Sequence, residues 1–234
     1  MKIADAAVLV TGANRGLGRA LVEEALRRGA KRVYAGARSH LDCADERVTP
    51  LILDVTDAAQ IQAAVEKVES LDILINNAGL AVPDDLGDRA VLERHLAVNL
   101  FGPYDVTRSL LPLLTGSRGA VVNVLSDAAV VPFPLVAGYS VSKAAAFSMT
   151  QSLRALLATR GVRVHAVLSG GIDTDMSRGA DIPKSSSEFV ARVVLDGVER
   201  GEEDIFPDLA SGAIADSWRS VVAEFARAQP WRRS

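Results

Sequence analysis

Three side chains in the second half of the sequence have types and spacings that suit proton transfer. Tyr139 and Lys143 stand four residues apart, so a helix would place the phenol and the ammonium on one face. A neighbouring cation favours the phenolate, and the pair predicts a Tyr139 pKa lowered from about 10 toward the range of a general acid or base. Ser126 ends a Val-rich segment, and strand carboxyl ends are where open α/β sheets bind ligands. A Tyr and a Lys at this spacing also occur often by chance, so the pair alone is weak evidence.

A glycine-rich segment near the amino terminus could bind phosphate. The apolar run 6–10 leads into TGANRGLG at 11–18, so Gly12, Gly16 and Gly18 would lie where a strand turns into a helix. The spacing is GxxxGxG rather than GxGxxG. Glycines also serve ordinary tight turns, but with a strand before and a helix after, the segment predicts a pyrophosphate cradle at a helix amino terminus.

Basic residues indicate which dinucleotide would bind there. An acidic residue about 20 positions beyond the loop, at the end of the second strand, would bind the ribose 2′-hydroxyl of NAD. The run 33–38 contains no carboxylate and ends in Arg38, and the loop itself holds Arg15. Two guanidinium groups on one phosphate would suit NADP(H), which is preferred over NAD(H), although Arg38 alone could equally be a solvated charge.

The arrangement of apolar runs predicts the fold that must position these residues. Short Val-, Leu- and Ile-rich runs alternate with amphipathic segments, a pattern typical of parallel strands with crossover helices on both faces. Seven strands are predicted near residues 6–11, 32–37, 48–53, 71–76, 119–125, 162–168 and 203–207. Helices are predicted at 17–28, 57–69, 88–114, 139–160 and 187–200. Asp57 should cap the second helix, Gly29 should end the first, and Pro112 should kink or end the long third one.

Composition sets the class of protein. The 234 residues are 49% apolar with a net charge of −3, which argues against disorder and against a nucleic-acid partner. Cys43 is the only cysteine and the three histidines are scattered, so neither a disulfide scaffold nor a metal site is expected. The longest apolar stretch, 128–138, contains two prolines and is too short for a membrane helix of about 20 residues. The amino terminus lacks a signal-peptide pattern, so a cytoplasmic location and no membrane partner are expected.

Together with further motifs, these features resemble the short-chain dehydrogenase/reductase family over nearly the whole chain. The matching residues are TGANRGLG at 11–18, Asp54-Val55, NNAG at 76–79, Asn99, Ser126, Tyr139 with Lys143, and GIDT at 171–174. The resemblance implies a single-domain Rossmann fold over 1–234, with a doubly wound seven-stranded parallel sheet. The dinucleotide-binding part would span about 1–125 and the catalytic and substrate part about 126–234.

The resemblance also implies an activity, namely hydride transfer between NADP(H) and a carbonyl or secondary alcohol. In such enzymes the residue matching Tyr139 exchanges a proton with the substrate oxygen, and Lys143 would lower its pKa and hold the nicotinamide ribose. Ser126 would hydrogen-bond the substrate oxygen, and Asn99 would hold a water linking Lys143 to solvent. The implied cofactor contacts are Gly12, Asn14, Arg15, Gly16, Leu17, Gly18, Arg38, Asp54, Val55, Asn77, Ala78, Gly79, Tyr139, Lys143, Gly170, Ile172 and Thr174. A homodimer or homotetramer through the helices at 88–114 and 139–160 is expected on the same ground.

Several features depart from the family pattern. Ser169-Gly170 replaces the usual Pro-Gly, which should loosen the loop over the nicotinamide without removing a chemical group. Only 15 residues separate Arg38 from Asp54, so the second crossover should be reduced to a turn. Asp127 follows Ser126, and because a carboxylate would oppose phenolate formation, it should point away from Tyr139. The lid segment 175–187 is brief and its surroundings are apolar, which predicts an apolar ketone, aldehyde or alcohol as substrate.

Two other functions compete with the reductase. A protein that only senses NADP(H) would use the same fold without catalysis, and a broken set of Asn99, Ser126, Tyr139 and Lys143 would be its sign; here the set is intact. A nucleotide-sugar epimerase or dehydratase would be the related extended type. It usually has a GxxGxxG loop and a substrate domain, for which 234 residues leave no room.

Overall fold

The computed structural model describes residues 1–179, 182–215, 217 and 218. Its seven strands are all parallel and lie in the order β3-β2-β1-β4-β5-β6-β7. They are β1 Ala7–Thr11, β2 Arg32–Ala37, β3 Val48–Ile52, β4 Ile73–Asn76, β5 Ala120–Val124, β6 Arg163–Val167 and β7 Asp204–Ile205. Each strand lies within the predicted bounds, although β7 is only two residues long.

The helices whose bounds lie entirely within the described residues cover the two faces of the sheet. They are α1 Gly16–Arg27, α2 Ala58–Lys67, α3 Arg89–Leu96, α4 Gly102–Ser117, α5 Ala137–Ala158 and α6 Ser187–Arg200. One buried apolar cluster contains α1 and α6 side chains such as Leu21 and Val194, and a second contains Leu110 of α4 and Leu153 of α5. The central strands are buried on both sides, which explains their continuous apolar runs. The predicted doubly wound α/β fold is confirmed.

The strand order determines where a ligand can bind. After β3 the chain returns to the far side of β1 and forms β4 beside it. At such a reversal the loops that leave the carboxyl ends of the two neighbouring strands diverge and open a crevice. The glycine loop follows β1 and the NNAG segment follows β4, so both lie at this crevice.

The helix ends follow the predicted chemistry. The Asp57 side chain accepts hydrogen bonds from the main-chain N–H groups of Ala59 and Gln60, so it caps α2 as expected. Gly29, just beyond α1, adopts φ +86°, a left-handed conformation that ends a helix at little cost for glycine. Residues 38–47 contain no helix, which confirms the reduced second crossover.

The predicted helix at 88–114 is wrong in two respects. A single π-turn at Ala97–Phe101 separates α3 from α4, and α4 continues through Pro112 to Ser117. Proline removes one main-chain donor from a helix. Here the neighbouring Leu110, Leu111 and Leu114 are buried in the core, and their packing holds the helix together across the proline.

The predicted domain span to 234 includes residue 216 and residues 219–234, and the predicted lid includes 180 and 181; these lie outside the described residues. Among the helices that are described, none combines the length and apolar character required to cross a bilayer.

Candidate active site

The loop between β1 and α1 has the conformation of an anion cradle. Gly12 and Gly16 adopt φ +67° and +50°, a region where side chains other than glycine are strained. A Cβ on Gly18 would lie 2.1 Å from the carbonyl oxygen of Gly12, so α1 can approach the turn only because that position has no side chain. Asn14 and Arg15 are exposed on the same loop, and Leu17 is buried beneath it.

The first turn of α1 remains available to an anion. Its N-cap residue, Arg15, makes no side-chain capping hydrogen bond, and the first turn contains no acidic residue. The free N–H groups and the positive end of the helix therefore face the crevice. Thr174, after β6, closes the other side, since a Cβ on Gly16 would lie 3.0 Å from its Cγ2. The pocket between them has a volume of about 380 Å³ and also includes Asp175 and Arg178. These residues fit a dinucleotide pyrophosphate.

The NNAG segment supports the glycine loop from below. Thr11 Oγ1 accepts hydrogen bonds from the main-chain N–H groups of Asn77 and Ala78, each at 3.0 Å. The Asn77 amide donates to the carbonyl oxygens of Thr11, at 2.9 Å, and Gly12, at 3.2 Å. Gly79 continues the wall toward the catalytic residues, because a Cβ there would lie 3.8 Å from Lys143 Nζ.

The two predicted phosphate-binding arginines are not brought together. Arg38 is exposed just beyond β2. Burial acts to raise the pKa of Asp54, but hydrogen bonds from Thr56 and the positive charge of Arg38 outweigh it and leave the pKa lowered. Arg38 is therefore close to Asp54, the predicted adenine contact. Arg15 instead contacts Asp175 at 2.7 Å, on the β6 side of the crevice. The sharing of one phosphate by Arg15 and Arg38 stays a prediction, and it would require Arg15 to leave Asp175.

The remaining predicted cofactor contacts differ in what they expose. Val55 packs against α4, since a Cβ on Gly102 would lie 2.7 Å from its Cγ2, so only its main chain is available. Gly170 donates its N–H to Asp208 Oδ2 at 2.8 Å, which fixes the loop that lacks the family's proline. The carbonyl of Ile172 accepts the Ser177 hydroxyl at 2.6 Å, and Thr174 begins the short helical turn at Asp175–Ser177.

The structure brings Ser126, Tyr139 and Lys143 together. Ser126 follows β5, and Tyr139 and Lys143 lie in the first two turns of α5. The Ser126 hydroxyl lies near the Tyr139 phenol and acts to lower its pKa. Lys143 Nζ lies 5.6 Å from the centre of the Tyr139 ring and donates to the carbonyl oxygen of Val124 at 2.9 Å.

The predicted lowering of the Tyr139 pKa is wrong for this structure. Burial raises the pKa of Tyr139 to about 12, with a further increase from the charge of Asp127, while the Ser126 hydrogen bond acts in the opposite direction. Burial also lowers the pKa of Lys143 to about 8. Burial shifts the pKa of each group in the direction of its neutral form, because a low dielectric penalises either charge. At neutral pH the phenol holds its proton.

Asn99 lies in the π-turn and its side chain is fully engaged. Its amide donates to the carbonyl oxygen of Leu80 and to Ser142 Oγ, and its Oδ1 accepts the N–H of Leu80. Both amide hydrogens are thus used within the protein. The predicted water linking Lys143 to solvent cannot use them, and the side chain instead fixes the loop that follows Gly79.

Asp127 does not point away from the site, contrary to the prediction. Its Oδ1 accepts the Ser126 hydroxyl at 2.9 Å, and its charge raises the pKa of Tyr139. The reason is local: Ser126 accepts the N–H of Ala128 and so caps the short helical turn at Asp127–Ala129. This turn folds the Asp127 side chain back over its neighbour.

Two further residues, His95 and Asp84, support the catalytic helix. The Asp84 carboxylate accepts the N–H of Gly138, at 2.9 Å, directly before Tyr139. His95 Nε2 accepts the N–H of Val82 at 3.2 Å, and His95 Nδ1 lies 3.8 Å from Asp84 Oδ2. His95 stands one helical turn before Asn99, and this spacing could have indicated that His95 lies near the site. Nothing in the sequence marks Asp84 as a cap for α5.

The buried histidines predict a stability that depends on pH. Burial lowers the pKa values of His95 and His165, so below about pH 6.5 the unfolded chain binds protons that the folded chain does not. The free energy of unfolding should fall on acidification by up to about 1.4 kcal/mol per pH unit for each histidine. In His95→Gln the amide oxygen can still accept the N–H of Val82. The free energy of unfolding of this variant, measured with urea, should depend less steeply on pH than that of the wild type. The exposed His40→Gln is the control, and equal slopes in all three proteins would contradict the prediction.

Comparison with known proteins establishes the family. The short chain dehydrogenase family matches residues 6–184, and the chain belongs to it. The chain is 35% identical over 192 residues to rat estradiol 17-beta-dehydrogenase 2, with 75% of this chain and 50% of that protein covered. It is 34% identical over 221 residues to the 3-oxoacyl-acyl-carrier-protein reductase FabG of Thermotoga maritima, covering 87% and 88% of the two chains. The chain thus spans half the length of the estradiol dehydrogenase.

The fold is shared with solved structures. A short chain dehydrogenase from Burkholderia cenocepacia J2315, crystallised in complex with NADP, has a TM-score of 0.90 and 38% identity, with 97% of this chain and 98% of that chain covered. A short-chain dehydrogenase from Streptomyces avermitilis has a TM-score of 0.82 at 24% identity, which shows the fold alone. The protein is a member of a family of oxidoreductases that transfer hydride with a nicotinamide cofactor.

Proposed function

We propose that this protein transfers hydride between NADP(H) and a carbonyl or secondary alcohol, with Tyr139 as the general acid and base. The observation that supports this most directly is the grouping of Ser126, Tyr139 and Lys143 beside the glycine cradle. A hydroxyl and a phenol that lie close together can both reach one substrate oxygen. Lys143 holds its Nζ behind the ring at 5.6 Å.

The protonation states favour carbonyl reduction. When a carbonyl accepts hydride, negative charge develops on its oxygen, and donors aimed at that oxygen stabilise the transition state more than the ground state. Tyr139, with a pKa of about 12, holds the required proton at neutral pH. An alkoxide is a far stronger base than a phenolate, so transfer from Tyr139 Oη to the substrate oxygen is downhill. In the reverse direction Tyr139 must first lose that proton.

The cofactor would supply or accept the hydride, and this chain's residues would hold it. The N–H groups at the start of α1 and Gly12, Gly16 and Gly18 would bind the pyrophosphate. Asn77 and Gly79 would line the ribose side, and Thr174 would lie toward the carboxamide. Support for the phosphorylated form comes from Arg38, where an NAD-binding loop would place a carboxylate, and from the NADP bound to the Burkholderia relative.

Replacing Arg38 with Asp tests the cofactor preference. The substitution removes a charged donor, worth about 1.5–3 kcal/mol, and supplies the carboxylate that suits a ribose hydroxyl. The value of kcat/KM for NADPH should fall about 10- to 100-fold, while that for NADH should hold or rise. Steady-state kinetics with both cofactors measure this. Arg160→Asp, in the exposed turn after α5, is the matched control, and an unchanged preference in Arg38→Asp would refute the role in binding phosphate.

The substrate is proposed to be an apolar ketone, aldehyde or alcohol. The loop after the catalytic turn exposes Val131, Phe133 and Leu135, which are 48%, 41% and 84% exposed, and they lie between Ser126 and α5. The relative named for estradiol, a largely apolar alcohol, is consistent with this. A panel in which only charged sugars react would contradict it.

Assembly and location are also proposals. The outer faces of α4 and α5 expose Tyr104, Val141 and Leu156, which are 43%, 43% and 69% exposed, and such apolar faces are commonly covered by a second copy. A homodimer or homotetramer is expected, and light scattering would measure it. A cytoplasmic location, the absence of nucleic-acid and membrane partners, and the boundary near 125/126 between the cofactor and substrate parts remain predictions.

A panel of carbonyl compounds assayed with NADPH and with NADH tests the function itself. Oxidation of NADPH that depends on an apolar carbonyl, at a rate that is lost in Tyr139→Phe, would support the proposal. Tight NADPH binding without turnover of any carbonyl or alcohol would contradict it and would instead indicate a protein that senses the cofactor.

A further inference from the structure

The Ser126 hydroxyl has one hydrogen, and the structure shows where that hydrogen goes. Ser126 Oγ accepts the N–H of Ala128 at 3.1 Å and lies 2.9 Å from Asp127 Oδ1. An ionised carboxylate can only accept, so the hydroxyl must donate to it. In that state Ser126 has no hydrogen left for a substrate oxygen and can only accept one from Tyr139 or from an alcohol.

The surroundings of Asp127 bring a second carboxylate close to it. A Cβ on Gly170 would lie 2.9 Å from Asp208 Oδ1 and 3.4 Å from Asp127 Oδ2, so the two acids flank one glycine. Asp208 is held there by the N–H groups of Gly170 and Ser211. On the α5 side Asp127 faces the Tyr139 phenol, behind which Lys143 donates to Val124. No described contact gives Asp127 a cationic partner.

We propose, building on the proposed reductase function, that Asp127 is a positioning residue whose protonation reverses the direction of the Ser126 hydrogen bond. With Asp127 ionised, Ser126 Oγ–H points to Asp127 Oδ1. With Asp127 protonated, the carboxyl O–H donates to Ser126 Oγ, and the serine hydrogen turns toward the reacting oxygen. The switch transfers no proton to the substrate. It changes only the group to which the Ser126 hydroxyl donates its hydrogen bond.

The two states favour opposite directions of the reaction. A carbonyl oxygen needs donors, and protonated Asp127 gives it two, Ser126 Oγ–H and Tyr139 Oη–H. An alcohol needs an acceptor for its hydrogen, and ionised Asp127 leaves Ser126 Oγ able to accept it. Carbonyl reduction should therefore prefer the protonated form of Asp127 and alcohol oxidation the ionised form.

The titration of Asp127 lies above that of an ordinary aspartate. Burial raises the pKa of Asp127 above its usual value, and the Asp208 carboxylate raises it further, against the hydrogen bonds from Ser126 and Ala128. Because the folded pKa is raised, the protonated form persists to higher pH than in an ordinary aspartate. Reduction should thus weaken as the pH rises through the Asp127 titration.

The pH profiles of Asp127→Asn and Asp127→Ala test the switch. The asparagine amide can donate permanently to Ser126 Oγ, and alanine removes the competing acceptor, so both variants leave the serine hydrogen free. Wild-type kcat/KM for reduction should fall roughly tenfold from the lower to the upper pH side of the Asp127 titration, the loss expected for one donor. Both variants should lose this decrease and should reduce carbonyls roughly tenfold faster than wild type at the upper pH. Oxidation should slow in Asp127→Asn, because its amide occupies the remaining acceptor site of Ser126 Oγ.

Two comparisons keep this interpretation specific. Glu66→Gln removes an exposed carboxylate on α2 and should leave the profile as in the wild type. The part of the pH profile that reflects the titration of Lys143, whose pKa is about 8, should remain in the wild type and in every variant. Profiles of Asp127→Asn and Asp127→Ala that run parallel to the wild type would overturn the inference and leave the proposed function standing.

A second measurement does not depend on turnover. The Ser126 hydrogen bond lowers the pKa of Asp127, so Ser126→Ala should raise it, as measured by the carbon-13 shift of the Asp127 carboxyl, assigned with Asp127→Asn. An Asp127 titration that is identical with and without the serine hydroxyl would overturn the inference. If no carbonyl compound reacts, the proposed function fails, while this titration still decides whether Asp127 and Ser126 are coupled.

Discussion

Replacing Tyr139 with Phe is expected to lower kcat for carbonyl reduction about 10³-fold, the typical loss when a positioned acid is removed. The ring fills the same volume, so its packing against the His95 ring, 6.4 Å away, should persist. Because the lost contact forms with the substrate oxygen only as charge develops there, kcat should fall far more than KM rises. The dissociation constant for NADPH, measured by fluorescence titration, should stay within about twofold.

Tyr104→Phe is the matched control for this experiment. Tyr104 lies on the exposed face of α4, so loss of its hydroxyl should leave kcat unchanged. A Tyr139→Phe enzyme that retains a tenth or more of the wild-type kcat would show that another group supplies the proton. Loss of NADPH binding in the same variant would instead mean that the hydroxyl holds the cofactor.

Adding one methyl group at Gly18 should have the second large effect. The new Cβ would lie 2.1 Å from the Gly12 carbonyl oxygen and 2.6 Å from Asn77 Nδ2. Both neighbours belong to the support of the glycine loop, so α1 must move away from β1. Overpacking of this kind costs about 1–3 kcal/mol of unfolding free energy, and the displaced cradle should bind NADPH at least about tenfold more weakly. Urea unfolding and fluorescence titration measure the two effects.

Gly116→Ala is the control for Gly18→Ala, because the same substitution is expected to have the opposite effect on stability there. Gly116 lies in the last turn of α4, and nothing is within 4 Å of the position of its Cβ. Alanine there should stabilise the protein by up to about 1 kcal/mol through helix propensity. If Gly18→Ala proved as harmless as Gly116→Ala, the close approach of α1 to the loop would not be needed for either stability or binding.

The features that the sequence predicts well are those determined by local spacing. Gly12, Gly16 and Gly18 follow one strand and open one helix, and the i, i+4 placement of Tyr139 and Lys143 needs only that α5 begins nearby. The strand order follows from regular crossovers between parallel strands. Each of these depends on residues close in the chain, so the pattern and the structure agree.

The features that the sequence misses depend on contacts between distant segments. The pKa of Tyr139 rises because its hydroxyl is desolvated among elements far apart in the sequence, which outweighs the adjacent Lys143. Arg15 pairs with Asp175, 160 residues away, and this could not be predicted from the loop itself. The orientation of Asp127 follows from one short turn whose hydrogen bond with Ala128 has no clear sequence signal.

The π-turn at Ala97–Phe101 keeps the two helices on either side of it in phase. Each residue advances an α-helix by about 100°, and a π-turn absorbs one additional residue without breaking the rod. Winding the same five residues as a regular α-helix would therefore rotate α3 by about 100° relative to α4. His95 would then turn away from the N–H of Val82, and the buried amide of Asn99 would leave Leu80. The wide turn thus sets the angle at which α3 meets the loop after β4.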